Sequence, residues 1–205
     1  MTHGPPRAAR RRRLRRTFYD RDAVEVAPEL LGKLLVLDHE HGRLAARLVE
    51  VEAYRGADDP GSHAFRGRTA RNATMFSRPG LLYVYFTYGM HWCANAVCGP
   101  GTTPHAVLLR AACPVEGLDV MRERRPTASR ELDLLRGPAN LARAFGLDRA
   151  HDGADLTRGV LGIADDGFAP GDISVTRRVG LAPGKGDDLA LRFAVAGDPH
   201  VSRRG

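Results

Sequence analysis

The run GLLYVYFTYGMHWCANAVC, from Gly80 to Cys98, limits the folds open to this chain more than any other segment. It is rich in aromatic and β-branched residues, which favour extended strands. Gly89 lies inside the run and can turn the chain sharply, because glycine tolerates backbone angles that other residues avoid. KLLVLD, RLAARLVEVEAY and HAVLLRAACP are similarly strand-like, and Gly42 can form the turn between the first two. We therefore expect several strands.

Helical segments are interspersed with these strands. DAVEVAPELLGKLLV predicts a short helix with Asp22 as N-cap and Gly32 as C-cap. EGLDVMRERR and PANLARAFGL predict two more, the last with Pro138 at its first position and Gly146 near its end. The polar segment 56–78 predicts a long surface loop, and GDISVTRRVGL and LALRFAVAG predict further strands. This irregular mixture, in a chain of 205 residues, favours one α+β domain.

The net charge of +7 originates at the N-terminus. Residues 1–16 contain seven arginines and no acidic residue, and the remaining basic residues equal the 24 acidic ones in number. Such an arm can bind phosphates, or it can be a disordered, solvated tail without a specific role. We expect a basic arm over residues 1–16 and a folded domain over residues 17–205.

Composition excludes several classes of protein. No segment is apolar enough to span a membrane, and no apolar stretch follows the N-terminal charges, so we expect a cytoplasmic protein without a secretory signal. Cys93, Cys98 and Cys113 are an odd number and form no CxxC pair. This argues against a disulfide framework or a zinc site and suits a reducing compartment.

The stretch VEVEAYRGADDPGSH places Glu50, Glu52 and Tyr54 on one face of a strand. A carboxylate at a strand end is ordinarily solvated or ion-paired, so Glu52 alone does not indicate a site. His63 follows a Gly/Pro-rich turn that could fold back towards these residues. Asp58 of the same turn, with its acidic neighbour, could imitate a hard-metal site, although acid-rich turns are usually only turns.

Tyrosines accompany this acidic strand. Tyr83 and Tyr85 share one face of a second strand, and Tyr88 precedes Gly89. Aromatic faces stack on nucleobases, each stack contributing about 1–3 kcal/mol, but a tyrosine stripe at strand spacing is more often core packing. The residues themselves leave both interpretations open.

Four blocks carry a resemblance to a known family. VEVEAYRGADDPGSHAF, RTARNATMFSRPGLLYVYFTYGMHWCANAV, HAVLLRA and RGPANLARAFGL, in this order, closely resemble the alkyladenine (3-methyladenine) DNA glycosylase family. Similar segments run from about Phe18 to Ser202. The resemblance implies a monomer with a curved, largely antiparallel sheet flanked by helices. It also implies an enzyme that needs no metal or cofactor and excises alkylated or otherwise damaged purines from double-stranded DNA in the cytoplasmic nucleoid.

The resemblance also assigns roles in the active site. Enzymes of this family flip the damaged base out of the duplex. Tyr54, His63 and Tyr85 would hold the base between ring faces, with the His63 backbone bonding to its edge. Asn95 would exclude the exocyclic amino group of guanine, although on its residue type alone it could simply satisfy its own backbone.

The same resemblance makes Glu52 the general base that activates the attacking water. Arg110 would hold this water, or it would only form a salt bridge with Glu52 or Glu50, and Glu50 is expected to be structural. A glycosylase that also nicks the strand usually needs an amine nucleophile. Lys33 and Lys185 lie outside the four blocks, so we expect water as the nucleophile and an abasic site as the product.

DNA contacts are carried over in the same way. Tyr88 matches the side chain that the family inserts into the space left by the flipped base. Met90, His91, Thr69 and Arg71 lie in blocks that flank DNA in the family.

Two departures and two rivals accompany this assignment. Asn140 stands where lysine is frequent in the family, which puts one backbone contact to DNA in doubt, and RRVGLAPGKGDDLALRF resembles the family ending only loosely.

The first rival is a non-catalytic nucleic-acid-binding module. The second is a metal-dependent hydrolase that uses Asp58, Asp59 and His63.

Overall fold

The computed structural model describes residues 11–40 and 42–202, which form a single α+β domain. Its strands are β1 (Arg12–Arg13), β2 (Leu34–His39), β3 (Gly42–Tyr54), β4 (Leu82–Thr87), β5 (His91–Cys98), β6 (His105–Glu116), β7 (Leu161–Asp165), β8 (Ile173–Thr176) and β9 (Arg192–Val195). Its helices are α1 (Arg16–Tyr19), α2 (Ala23–Leu30), α3 (Leu118–Arg124) and α4 (Pro138–Phe145).

The strands form one open, antiparallel sheet in the order β1-β7-β2-β3-β6-β5-β4, to which β9 adds along β3 and β8 along β9. The expected α+β class and antiparallel sheet are confirmed. No helix among the described residues is long and apolar enough to cross a bilayer.

Strand β3 is the centre of the sheet. From Ala45 to Tyr54 it pairs with β6, while its other edge pairs first with β2 and then with β9. The register with β6 shifts on both sides of Glu50, and such bulges bend a strand and redirect its side chains. Glu50 and Glu52 are completely buried, so this face does not meet water.

Apolar clusters cover both faces of the sheet, the smallest formed by Leu34, Val36, Ala45 and Ala164. The largest one packs α2 and α4 against the face that carries Val51 and Leu109. A second cluster packs Ala64 and Met75 of the segment 56–78 against Tyr83, Val97 and Ala106 of the strands. This predicted loop contains two short 3₁₀ turns, Gly56–Asp58 and Ala73–Phe76, because its few apolar side chains bury themselves against the hairpin of β4 and β5.

Local sequence signals set the ends of the helices. The Asp22 side chain accepts a hydrogen bond from Val24 N and begins α2, which ends at Leu30, two residues before the predicted C-cap Gly32. Pro138 and Gly146 occupy the predicted ends of α4.

The N-terminal arm is only partly within the described structure, because residues 1–10 lie outside it. Residues 11–16 contact the folded domain. Arg12 and Arg13 pair with β7, a strand that the sequence did not predict. Arg16 donates to the carbonyl of Pro79 and to Asp155, so buried backbone and a carboxylate give these arginines partners.

Candidate active site

A cavity of about 240 Å³ opens where the end of β3 meets the β4–β5 hairpin, β6 and the segment 179–181. At ~30 Å³ per water molecule, this volume would hold about eight waters. A single nucleobase fills a space of similar size. Both polar or aromatic and apolar side chains line it. The polar and aromatic ones include Tyr54, His63, Tyr83, Tyr85, Asn95 and Arg110, and the apolar ones include Met75, Ala106 and Leu108.

One row of side chains crosses the sheet at this cavity. Tyr83, Asn95, Leu108 and Glu52 are direct neighbours on four successive strands, and Arg192 continues the row on β9. Adjacent strands lie about 4.8 Å apart, and directly opposed residues point to the same face. The strand register therefore brings together residues that are far apart in the sequence.

Aromatic rings form one wall of the cavity. The His63 and Tyr85 rings meet edge to face with centroids 4.4 Å apart, and Tyr83 stacks on Tyr85 at 5.4 Å. His63 Nδ1 lies 3.1 Å from the Tyr83 hydroxyl. Burial, together with nearby Arg71, lowers the pKa of His63, and burial raises the pKa of Tyr83 to about 12. The wall is therefore uncharged at neutral pH.

Three predicted base-binding residues, Tyr54, His63 and Tyr85, line this single cavity together with the fourth, Asn95. Asn95 is buried and its Nδ2 donates to the Tyr83 carbonyl at 3.2 Å. Its amide is therefore fixed by the neighbouring strand while it faces the cavity. The His63 carbonyl accepts a hydrogen bond from Asn72 Nδ2 at 2.8 Å, so the backbone of this turn is fixed as well.

Glu52 accepts two hydrogen bonds and forms one salt bridge. Its Oε2 accepts from the Tyr54 hydroxyl at 2.9 Å, and its Oε1 accepts from Val179 N at 2.8 Å. Arg110 Nη1 lies 3.3 Å from Oε1. Burial and the nearby Glu52 charge raise the pKa of Tyr54, so this phenol stays protonated and remains a donor.

Glu50 is the second buried acid and it anchors Arg110. Its Oε1 accepts from Arg110 Nε at 2.9 Å and from Arg192 Nε at 2.7 Å. Burial alone would raise the pKa of Glu50, but Arg110, Arg192 and a backbone N–H from Ser202 outweigh it, and the pKa is lowered. Arg110 thus contacts both glutamates, and the contacts of Glu50 fit its expected structural role.

Comparison with known proteins gives the affiliation, since the profile of the methylpurine-DNA glycosylase (MPG) family matches residues 17–199. The chain belongs to this family. A protein of Burkholderia lata is 53% identical over 192 residues, which cover 92% of this chain and 90% of its own. One of Streptomyces avermitilis is 46% identical over 193 residues, covering 92% and 90%. Both carry the provisional name 3-methyladenine DNA glycosylase. The family expected from the four sequence blocks is confirmed.

Arg178 is a buried residue beside this cavity that the sequence did not single out. Its guanidinium forms a two-pronged ion pair with Asp59, with N–O distances of 2.5 and 2.6 Å. It also donates to the carbonyls of Ala53 and Gly186 and lies over the Tyr54 ring, 4.5 Å from its centroid. In the sequence, only the acid-rich turn indicated such a pair, because a carboxylate that becomes buried needs a cationic partner.

This ion pair bears on the metal-dependent alternative. Asp59 uses both carboxylate oxygens for Arg178, and they also accept from Arg55 N and Gly61 N. The His63 ring points to Tyr83 instead. No group of three His, Cys, Asp or Glu side chains within residues 11–40 and 42–202 is placed to hold a metal ion.

The hairpin between β4 and β5 presents a tip of exposed residues. Tyr88 and Gly89 have positive φ angles of 51° and 66°, as in the type I′ turns that suit tight hairpins. Tyr88 is 80% exposed, and Met90 and His91 are also exposed. A tyrosine rarely adopts this backbone conformation, and such local strain concentrates at functional positions.

Other predicted DNA-contact residues lie near the cavity wall. Arg71 donates to the Phe86 carbonyl at 2.8 Å and lies over the Tyr85 ring at 5.9 Å. Thr69 donates through its backbone N to Asn72, the residue that fixes the His63 carbonyl. Asn140, at the start of α4, donates to the Arg136 carbonyl.

Proposed function

We propose that this protein is a monofunctional DNA glycosylase, which flips damaged purines out of duplex DNA and hydrolyses the N-glycosidic bond to leave an abasic site. The observation that carries this proposal is the buried Glu52 carboxylate beside a cavity of nucleobase size walled by aromatic rings. Membership of the family and the names of its relatives supply the substrate class. The binding-module rival gives no reason for burying an acid behind the rings.

Base recognition follows from the shape of the cavity. A flipped purine would enter between Tyr54 on one side and His63 with Tyr85 on the other, with its edge towards Asn95. Because the ring wall is uncharged, stacking rather than ion pairing would hold the base. Asn95 would oppose an exocyclic amino group at the position where guanine carries one.

The chemistry needs one water and one base. A carboxylate offers about four acceptor positions, of which the Tyr54 hydroxyl and Val179 N take two among the described residues, while Arg110 forms a salt bridge at Oε1. A water can accept from Arg110 and donate to a free position on Glu52. Its oxygen bonds to C1′ as the glycosidic electron pair leaves with the purine, and Glu52 takes the proton.

Lysine placement supports hydrolysis rather than strand nicking. Lys33 is paired with Asp165 at 3.0 Å on the β2–β7 side of the sheet. Lys185 is close to Gly61 through its backbone carbonyl, but neither lysine lines the cavity. Since an amine nucleophile would need to reach C1′, we expect an abasic site on an unbroken strand as the product.

DNA would be held around the cavity by the exposed residues that frame it. Tyr88 would fill the space left by the flipped base, and Met90, His91, Thr69 and Arg71 would contact the flanking strand. We propose that the protein acts as a monomer in the cytoplasm, where bacterial DNA lies in the nucleoid. Those arginines of residues 1–16 that the domain does not pair, such as the exposed Arg12 and Arg15, would add nonspecific, salt-dependent affinity.

The test is single-turnover release of free base from a duplex carrying one ethenoadenine, measured both without and with a chelator. Glu52→Gln should lower the rate constant by about 10²–10⁴-fold while the variant still binds the duplex. Glu123→Gln, on the exposed surface of α3, is the matched control and should keep the wild-type rate.

Two results would contradict the proposal. If the wild type binds the duplex but releases no base, and also releases no hypoxanthine or methylated adenine, the binding-module rival is correct. Loss of activity on addition of the chelator would support the metal-dependent hydrolase instead.

A further inference from the structure

The C-terminal segment, residues 198–202, is bound against the buried acid beside the site. Ser202 N donates to Glu50 Oε2 at 2.6 Å, and Ser202 Oγ donates to Glu50 Oε1 at 2.8 Å. Arg192 donates to the Ser202 carbonyl at 3.2 Å, and Arg136 donates to the Val201 carbonyl at 2.8 Å. Four hydrogen bonds thus attach two consecutive residues of the chain end to the sheet and to the segment before α4.

The same contacts reach the guanidinium of Arg110. Its Nε donates to Glu50 at 2.9 Å, its Nη1 lies 3.3 Å from Glu52, and its Nη2 lies 3.5 Å from Ser202 Oγ. Each of its three nitrogens therefore points to a different residue. Since a guanidinium is planar and rigid, three such contacts fix both its position and its tilt.

The charges explain why Ser202 matters for this geometry. Glu50 and Glu52 are both buried and lie two residues apart on one strand, and Arg110 is shared between them. Arg192 and the two donors of Ser202 compensate the charge of Glu50. Without the Ser202 donors, Glu50 would keep Arg192 but be less fully compensated, so it would attract Arg110 more strongly and draw it away from Glu52.

We propose that Ser202 is a positioning residue for the active site, which saturates the Glu50 carboxylate and thereby holds Arg110 beside Glu52. This inference rests on the proposed function, because Arg110 matters there as the group that orients the attacking water. Ser202 does not line the cavity. It should therefore act on the chemical step and leave DNA binding unchanged.

The first experiment compares Ser202→Ala, which removes one donor, with Ser202→Thr, which keeps a hydroxyl. Ser174→Ala is the matched control, since its Oγ donates to the Ala194 carbonyl between β8 and β9, outside the cavity lining. Single-turnover rate constants are measured at a temperature where every variant is fully folded, together with the dissociation constant for the lesion duplex. Ser202→Ala should lower the rate constant by about tenfold to a hundredfold, with unchanged affinity. Ser202→Thr should restore most of the rate, and Ser174→Ala should match the wild type.

A second readout needs no activity. The Nε–H of Arg110 is buried against Glu50, so its NMR signal should exchange slowly with solvent. In Ser202→Ala this signal should shift and exchange faster, and Ser174→Ala should leave it unchanged.

The inference is overturned if Ser202→Ala keeps both the wild-type rate constant and the wild-type Arg110 signal. It is also overturned if Ser202→Ala and Ser174→Ala lose activity equally, because the effect would then be general. If the proposed function is wrong, the wild type itself releases no base. The NMR comparison of Ser202→Ala with the wild type still tests the role of Ser202 in that case.

Discussion

Replacing Arg178 with methionine should destabilise the protein severely, because it would leave the Asp59 charge buried without its cation. The Arg178 side chain is fully buried and the Asp59 side chain is 1% exposed. The substitution removes both N–O contacts of the pair and the donors to the carbonyls of Ala53 and Gly186. Methionine keeps most of the apolar length of the side chain, so the loss is mainly electrostatic.

The expected magnitude follows from the burial of the pair. Breaking a buried ion pair on one side costs about 3–5 kcal/mol of unfolding free energy. In a domain of this size that corresponds to a fall in Tm of about 6–20 °C. Asp59→Asn alone should lower the unfolding free energy by a similar amount, because it leaves the Arg178 charge buried without its anion. The double variant should lose about 1–3 kcal/mol less than the sum of the two single losses.

Urea unfolding measures all three variants, with the slope m compared to confirm that the same transition is observed. Arg158→Met is the control, since Arg158 is 73% exposed in its ion pair with Asp155 and should change stability by less than about 1 kcal/mol. A loss below about 1 kcal/mol for Arg178→Met, or strict additivity in the double variant, would show that the pair does not hold the turn against the sheet.

Three further results are expected. Tyr88→Gly should stabilise the fold by about 1 kcal/mol, because glycine relieves the positive φ, yet it should weaken binding to a lesion duplex, as calorimetry and anisotropy would show. Asn95→Ser should raise excision of alkylated guanine relative to ethenoadenine by about tenfold, measured by competitive base release. His105, whose pKa is lowered chiefly by burial, should titrate by NMR below about 6.5. It binds a proton less readily when folded, so its contribution to stability is fully present above about pH 6.5 and declines as the pH falls below it.

Much of the fold could be predicted because local signals agreed with the tertiary structure. The β4–β5 hairpin has strand-forming residues on both sides of Gly89, and α4 begins and ends at its predicted proline and glycine. The short strands β1 and β7 were missed for a physical reason. Arg12 and Arg13 have no strand signal of their own, and they are extended only because β7 offers its edge to them.

The site could be predicted only where residues lie in motifs. Tyr54, His63, Tyr85 and Asn95 do line one cavity, and their assigned roles remain predictions. Arg178 and Ser202 could not be recognised because their partners lie 119 and 152 residues away in sequence. Nothing in RRVGL distinguishes a buried arginine from a solvated one until the fold places Asp59 beside it.

The row that runs from Tyr83 through Asn95 and Leu108 to Glu52 restricts how this pocket can diverge. Side chains alternate between the faces of a strand, so inserting one residue in β5 would send Asn95 to the opposite face, into the main core. The four strands must therefore keep their lengths between the row and the nearest turn. New base preferences can arise by exchanging side chains within the row, while insertions are confined to the hairpin tip and the connecting loops. Pocket chemistry and loop length can thus vary independently of each other.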